Sequence, residues 1–279
     1  MRSVCLLALI LPVAACDTIS GMNPFQKDET YKPEIVAQVP ADKLYNDGLA
    51  LLEKREYEAA SKKFADLDRQ YPFSAWSKKA LLMQTYAQYT GRSFDDAIGS
   101  GKRYMALHPS DAEAAYAAYM VAMSYYSLIP DVTRDQERTE KALVALQEVV
   151  QRWPNSEYAQ DCKFKITVVR DQLAGREMVV GRYYLQKRNY TAAINRFRTV
   201  ISQYQTTNQI EEALARISEA YLALGIVNEA QTAGAVLGHN FPDSRWYKDT
   251  YTLLQSKGLE PREEESSWIS KAFKSVGLG

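Results

Sequence analysis

The sequence predicts an all-α protein built as a superhelical array of stacked helix pairs. Two observations carry that prediction. From Asp42 onward apolar residues recur at helical spacing, and strand-like alternation is nearly absent. An alanine recurs where two helices must approach closely, at Ala60, Ala97, Ala142, Ala193 and Ala230, with spacings of 37, 45, 51 and 37 residues. Twelve residues after four of these alanines stands a proline, Pro72, Pro109, Pro154 or Pro242, placed to end the second helix of its pair. The fourth unit has Gln205 there instead.

A period of about 34 residues marks the tetratricopeptide repeat (TPR). The array is therefore expected to hold about five TPR helix pairs, some lengthened by insertions, with an amphipathic helix at the C-terminal end. In each pair the first helix is A and the second is B.

Taken in chain order, residues 1–15 read as a leader. Arg2 is followed by an uncharged apolar run from Val4 to Ala15, too short to span a bilayer. Val13-Ala14-Ala15-Cys16 resembles a bacterial lipobox, which implies lipid on Cys16 and a mature chain starting there. Residues 16–40 are polar, punctuated by Pro and Gly and without helical periodicity, so they read as a tether.

Residues 41–110 hold units 1 and 2. Gly48, Tyr57, Ala60, Phe64 and Pro72 fit the repeat closely, as do Gly181, Tyr184, Tyr190, Ala193 and Phe197 in unit 4. Glycine lets helices A and B approach, and aromatics fill the space between units. In units 2 and 5 Gly101 and Gly234 occupy the place of the large residue held by Phe64, Leu146 and Phe197, so packing there is expected to differ. Residues 111–175 hold unit 3, with an inserted loop over 127–140 and a long linking helix from Glu157 to Gly175. The loop is either a binding element or inert. Residues 176–258 hold units 4 and 5. Residues 259–279 hold a polar linker and a helix with Trp268, Ile269, Ala272, Phe273 and Val276 on one face. Three roles are open for that helix: covering the array, docking on a partner, or lying on a membrane surface.

Chemistry is sparse. The 34 basic and 34 acidic residues balance, and losing the leader removes only Arg2, so no basic field favours nucleic acid. His108 and His239 lie at helix B termini in different units and suit helix ends better than catalysis. After Cys16, Cys162 has no partner for a disulfide and reads as a small buried hydrophobe rather than a reactive thiol. Asp95-Asp96 and Glu263-Glu264-Glu265 look like a first helical turn and a solvated linker. No catalytic set, metal site or cofactor is expected. Tyrosine is abundant at 19 copies, many on helices A, where it fills the core or gives a peptide groove rigid amphipathic contacts.

Three segments, 69–80, 153–161 and above all 173–197, make the chain resemble the BamD family, lipoproteins of the outer-membrane β-barrel assembly (BAM) machinery. The last runs Leu-Ala-Gly-Arg-Glu-Met-Val-Val-Gly-Arg-Tyr-Tyr-Leu-Gln-Lys-Arg-Asn-Tyr-Thr-Ala-Ala-Ile-Asn-Arg-Phe. The resemblance covers roughly Asp42 to Leu254. It implies a scaffold without enzymatic activity, lipid-anchored on the periplasmic face of the cell outer membrane. It implies as partners the periplasmic domains of the barrel-forming subunit, other assembly lipoproteins and unfolded β-barrel substrates. By position, Asn195 and Arg196 fall in the partner-binding unit. There Arg196 either pairs with a partner carboxylate or belongs to a solvated helix face. Tyr71, Phe73, Trp76, Tyr86 and Tyr89 are candidates for the substrate-peptide groove, with Tyr71 and Phe73 alternatively locking a repeat boundary. Asp17 after the lipid-bearing cysteine is an inner-membrane retention residue in enteric bacteria and stands against the outer-membrane address. The alternative function is a periplasmic TPR lipoprotein that organises cell division or peptidoglycan synthesis.

Overall fold

The computed structural model describes residues 39–275 and Gly277. The leader, Cys16, Asp17, most of the tether and Val276 lie outside the described residues. Among the described residues there are twelve helices and no strand. The first ten are α1 (Ala41–Glu53), α2 (Tyr57–Gln70), α3 (Ala75–Thr90), α4 (Phe94–Leu107), α5 (Ala114–Ser127), α6 (Glu137–Arg152), α7 (Glu157–Gln186), α8 (Tyr190–Gln203), α9 (Ile210–Ala223) and α10 (Val227–Asn240). They form five consecutive pairs. α11 (Arg245–Gln255) and α12 (Trp268–Lys274) follow.

Each of the first ten helices packs on the next. Successive A helices also touch, α1 with α3, α3 with α5, α5 with α7 and α7 with α9, whereas successive B helices do not. The A helices are thus the inner layer of the array. The B helices splay apart on the outer layer and leave grooves between them.

The repeat residues explain the packing. All five repeat alanines are fully buried. In units 1 and 4 the glycine of helix A faces the phenylalanine of helix B. A Cβ on Gly48 would lie 2.6 Å from Phe64, and one on Gly181 would lie 2.5 Å from Phe197. In units 2 and 5 the glycine has moved to helix B and receives a side chain from the following helix. Cβ atoms there would lie 2.5 Å from Val121 and 2.8 Å from Leu254. The altered packing expected at Gly101 and Gly234 is this exchange of partners.

Four A–B turns share one hydrogen-bonded closure. In unit 1 the Arg55 N–H donates to the Leu52 carbonyl and the Glu56 N–H to the Leu51 carbonyl, both at 2.9 Å. Units 2, 4 and 5 repeat it. This motif needs a residue in left-handed conformation, and glycine fills it with least strain. Gly225 does so in unit 5, but Arg55, Arg92 and Arg188 do so elsewhere, at φ 62, 63 and 58.

Every helix B ends on an aromatic ring: Tyr71, His108, Trp153, Tyr204 or Phe241. Four of these precede the repeat proline, which pushes its neighbour out of helical ψ, and they hold ψ between 54 and 60°. Tyr204 precedes Gln205 and relaxes to ψ 36°. There the Gln205 amide donates to the Ser202 carbonyl at 2.9 Å, satisfying a helix-end group by side chain instead.

The two irregular segments support each other. α7 is one unbroken 30-residue helix, so the linking helix expected to stop at Gly175 continues directly as helix A of unit 4. Its middle holds the inserted loop: Gln172 donates to the Pro130 carbonyl at 3.1 Å and Arg176 to the Thr133 carbonyl at 2.9 Å. Within the loop, Gln136 donates to the Asp131 and Arg134 carbonyls. The loop therefore has a structural seat on α7.

α11 packs on α9 and α10 as half of a sixth unit. Its Ser244 N-cap after Pro242 is a helix-start signal that the repeat count passed over. α12 packs on α8 and α10. Ile269 and Phe273 are buried there, while Lys271 and Lys274 face solvent. Of the three roles open for this helix, the structure shows its apolar face covered by its own array.

Candidate protein-interaction surfaces

The first surface lies on the inner layer. Tyr86 and Tyr89 on α3, Tyr116 and Tyr119 on α5 and Tyr158 on α7 are all half-buried. The Tyr158 ring stacks on Tyr119 with centroids 4.9 Å apart and lies 5.4 Å from Tyr116. The Tyr119 hydroxyl donates to Asp161 at 2.9 Å, and Lys165 donates to the other Asp161 oxygen at 2.8 Å. Burial raises the Tyr119 pKa, and the hydrogen bond to Asp161 adds to it. Burial also pushes Tyr158 up to about 12, with its bond to Glu157 contributing. These hydroxyls stay protonated at neutral pH. The result is a rigid patch of ring faces whose hydroxyl hydrogens are held internally and whose hydroxyl oxygens can accept, suited to an extended peptide.

The five residues expected to form the substrate groove fall into three places. Tyr86 and Tyr89 belong to this patch. Tyr71 and Trp76 pack against the core of unit 1, with Trp76 5.1 Å from Tyr45. Phe73, in the turn between α2 and α3, is fully exposed. Tyr158 belongs to the same cluster but was not among those five. Its position on the long helix hid its neighbours, although Tyr116 and Tyr119 were recognisable as helix A aromatics.

Polar clips tie successive units at the B–A turns. The Asp111 carboxylate receives Lys78, the Tyr104 hydroxyl at 2.8 Å and the Glu113 N–H at 2.9 Å. The Lys78 hydrogen bond, with the other two donors, lowers its pKa to about 2. Asp68, nearly buried on α2, accepts from Ser77 and pairs with Arg103 at 2.6 Å.

The second surface lies on the α7–α8 pair. Asn195 and Arg196 are exposed on α8. With Tyr184, Ala192 and Thr199 they line a shallow cavity of about 260 Å³. Arg196 Nη1 is 3.2 Å from the Glu177 carboxylate of α7, an internal pair that sequence spacing did not reveal. Tyr183, on the same helix, is more than half exposed.

Cys162 is fully buried, and burial pushes its thiol up to about 11, so it packs as a small hydrophobe. His108 is the C-cap of α4 and His239 lies in the last turn of α10. Among the described residues no group of His, Cys, Asp or Glu is arranged to hold a metal ion, and no helix is long and apolar enough to cross a membrane.

Residues 37–237 match the YfiO family, described as outer membrane lipoprotein. The chain belongs to this family. It is 47% identical over 234 residues to outer membrane protein assembly factor BamD of Caulobacter vibrioides, covering 84% of this chain and 77% of that protein. It is 42% identical to BamD of Rickettsia prowazekii, covering 80% and 88%. Among solved structures it is similar to the TPR2AB domain of yeast Sti1, with TM-score 0.39 and 12% identity, covering 85% of this chain and 88% of that one. The YfiO match spans the repeat array from before α1 to the last turn of α10, and α11 and α12 lie beyond it.

Proposed function

We propose that this chain is a lipid-anchored scaffold that brings unfolded β-barrel chains and the barrel-forming subunit together at the periplasmic face of the outer membrane. The family relationship supplies the broad part. The chain is an outer membrane protein assembly factor, associated with the outer membrane, and a scaffold rather than an enzyme. The 47% identity to an assembly factor over most of the chain carries the proposal.

The finer part assigns the surfaces. Cys16 bears the lipid. Asn195 and Arg196 receive the periplasmic domains of the barrel-forming subunit. The Arg196 side chain is nearly half exposed and its guanidinium carries more donors than Glu177 uses, which suits bidentate contact with a partner carboxylate. The inner-layer tyrosines, Tyr86 and Tyr89 with Tyr116, Tyr119 and Tyr158, hold unfolded substrate. Tyr71 and Trp76 brace the core of unit 1 rather than this patch, and Phe73 offers a separate exposed ring in the turn between α2 and α3. Other assembly lipoproteins complete the set of partners.

Site-specific photo-crosslinking in intact cells tests these assignments. A crosslinker at Asn195 is expected to capture the barrel-forming subunit, and one at Tyr89 to capture nascent barrel proteins. Arg196→Glu should abolish the first capture and leave the second. Capture of peptidoglycan synthases at Asn195, with barrel levels unchanged on depletion, would instead establish the cell-wall reading. Fractionation of Asp17→Ser beside the parent tests the membrane address.

A further inference from the structure

The B helices diverge, and two of the outer grooves between them can be compared position by position. The groove between α8 and α10 is filled by α12. Ile269 and Phe273 are buried in it, and Trp268 Nε1 donates to the Tyr221 hydroxyl at 3.1 Å. The Arg198 guanidinium lies 4.7 Å from the Trp268 ring centroid. The Ser267 hydroxyl at the start of α12 donates to Glu229 at 2.7 Å. The groove between α4 and α6 is open, with a cavity of about 570 Å³.

The repeat register shows that the open groove is built like the filled one. Counted from Ala97 and Ala193, Lys102 stands where Arg198 stands, and Met105 where Ile201 stands. Tyr125 and Tyr221 each lie two residues before the end of their A helix. Counted from Ala142 and Ala230, Val144 takes the place of Thr232, and Lys141 that of Glu229. In the filled groove the cation and the tyrosine hold an indole between them. In the open groove they hold each other: Lys102 Nζ is 5.3 Å from the Tyr125 ring centroid and donates to its hydroxyl at 3.0 Å. Beside them Val144 is 65% exposed, the most exposed large aliphatic side chain on any B helix among the described residues.

We propose that the α4–α6 groove receives a short amphipathic helix of a partner protein, seated as α12 is seated between α8 and α10. An aromatic residue of that helix enters between Lys102 and Tyr125. Apolar residues one and five positions later cover Met105 and Val144, the spacing of Ile269 and Phe273 after Trp268. Charge selects the helix start. Glu229 accepts from a serine in the filled groove, and Lys141 replaces it here, so the fitting segment begins with an acidic residue. Lys141 now pairs with Glu137 on its own helix, an exposed contact that an incoming carboxylate can share. This inference rests on the internal repeat and holds whether or not the assembly reading does.

The test uses the full-length lipoprotein in detergent. The probe is a fluorescent, helix-constrained peptide with the sequence of residues 266–275 and aspartate in place of Ser267. Saturable anisotropy is expected. Val144→Asp should weaken binding about tenfold or more, since it places a charge in the apolar contact. Lys141→Glu should reverse the preference for the aspartate peptide over the parent serine peptide. Both positions are exposed, so thermal unfolding should be unchanged and the variants remain folded. Absence of saturable binding, or binding indifferent to both substitutions, overturns the proposal. A dimer in sedimentation equilibrium that Val144→Asp dissolves also overturns it, because the occupant is then a second copy of the chain.

Discussion

Substituting alanine for Gly181 sets two opposing effects against each other. In an open helix the change is stabilising by about 0.8–1 kcal/mol, because alanine has the higher helix propensity. At Gly181 the added Cβ would lie 2.5 Å from Phe197 Cε1 and 2.9 Å from Cδ1 and Cζ. Normal carbon contacts are near 3.5–4.0 Å, so the ring must retreat by roughly 1 Å. Phe197 is fully buried in the core of units 4 and 5 and has nowhere to go. Overpacking of this kind costs about 1–3 kcal/mol. Steric strain should cancel or outweigh the gain, leaving Gly181→Ala destabilised by up to about 2 kcal/mol, and Gly48→Ala should follow it through Phe64. Gly99 is the control. It lies inside α4, and a Cβ there meets nothing within 4 Å. Gly99→Ala should gain about 0.5–1 kcal/mol. At about 2–4 °C per kcal/mol, thermal unfolding followed by circular dichroism separates the two. The double variant Gly181→Ala/Phe197→Leu should lose less than the sum of its single changes. If Gly181→Ala raises Tm as Gly99→Ala does, the glycine is not required by helix approach and the close-packing argument fails.

Trp268→Ala removes buried ring area, the bond to Tyr221 and the contact with Arg198, and should loosen α12 by about 2–4 kcal/mol. Hydrogen exchange should then rise in α12 while α1–α6 keep their protection, and equal exchange in parent and variant would refute the docked seat. The Asp111 pKa is about 2 in the folded chain, below its ordinary 3.8, so its contribution is complete above about pH 4 and fades as pH falls through 2. With Lys78 nearly half exposed, Asp111→Asn should cost about 1–2 kcal/mol at neutral pH, and denaturant titrations should show that gap closing toward pH 2. Cys162 should resist thiol reagents at pH 8 in the native protein and react on unfolding, and fast native labelling would contradict its burial. Glu177→Gln should leave stability within about 0.5 kcal/mol and strengthen capture of a carboxylate-bearing partner at Arg196, read by crosslinking yield.

The sequence alone determined the repeat. Its alanines, prolines and Gly–Phe pairs are legible because each answers to a neighbour at a regular offset: the next turn, or the other helix of its own pair. Recurrent short-range problems leave recurrent solutions: the alanine in all five units, the proline in four and the Gly–Phe pair in units 1 and 4. Only the tertiary structure decided what irregular segments do. It showed one helix running through Gly175, with the inserted loop seated on it by Gln172 and Arg176. It separated Tyr71 and Trp76 from Tyr86 and Tyr89, joined Tyr158 to the latter, and paired Arg196 with Glu177. It also turned the apolar face of α12 inward, onto α8 and α10. These contacts are made at single places in the chain and do not recur from one repeat unit to the next. Periodicity carries no information about them, and the angle at which one helix pair stacks on the next sets which of them meet.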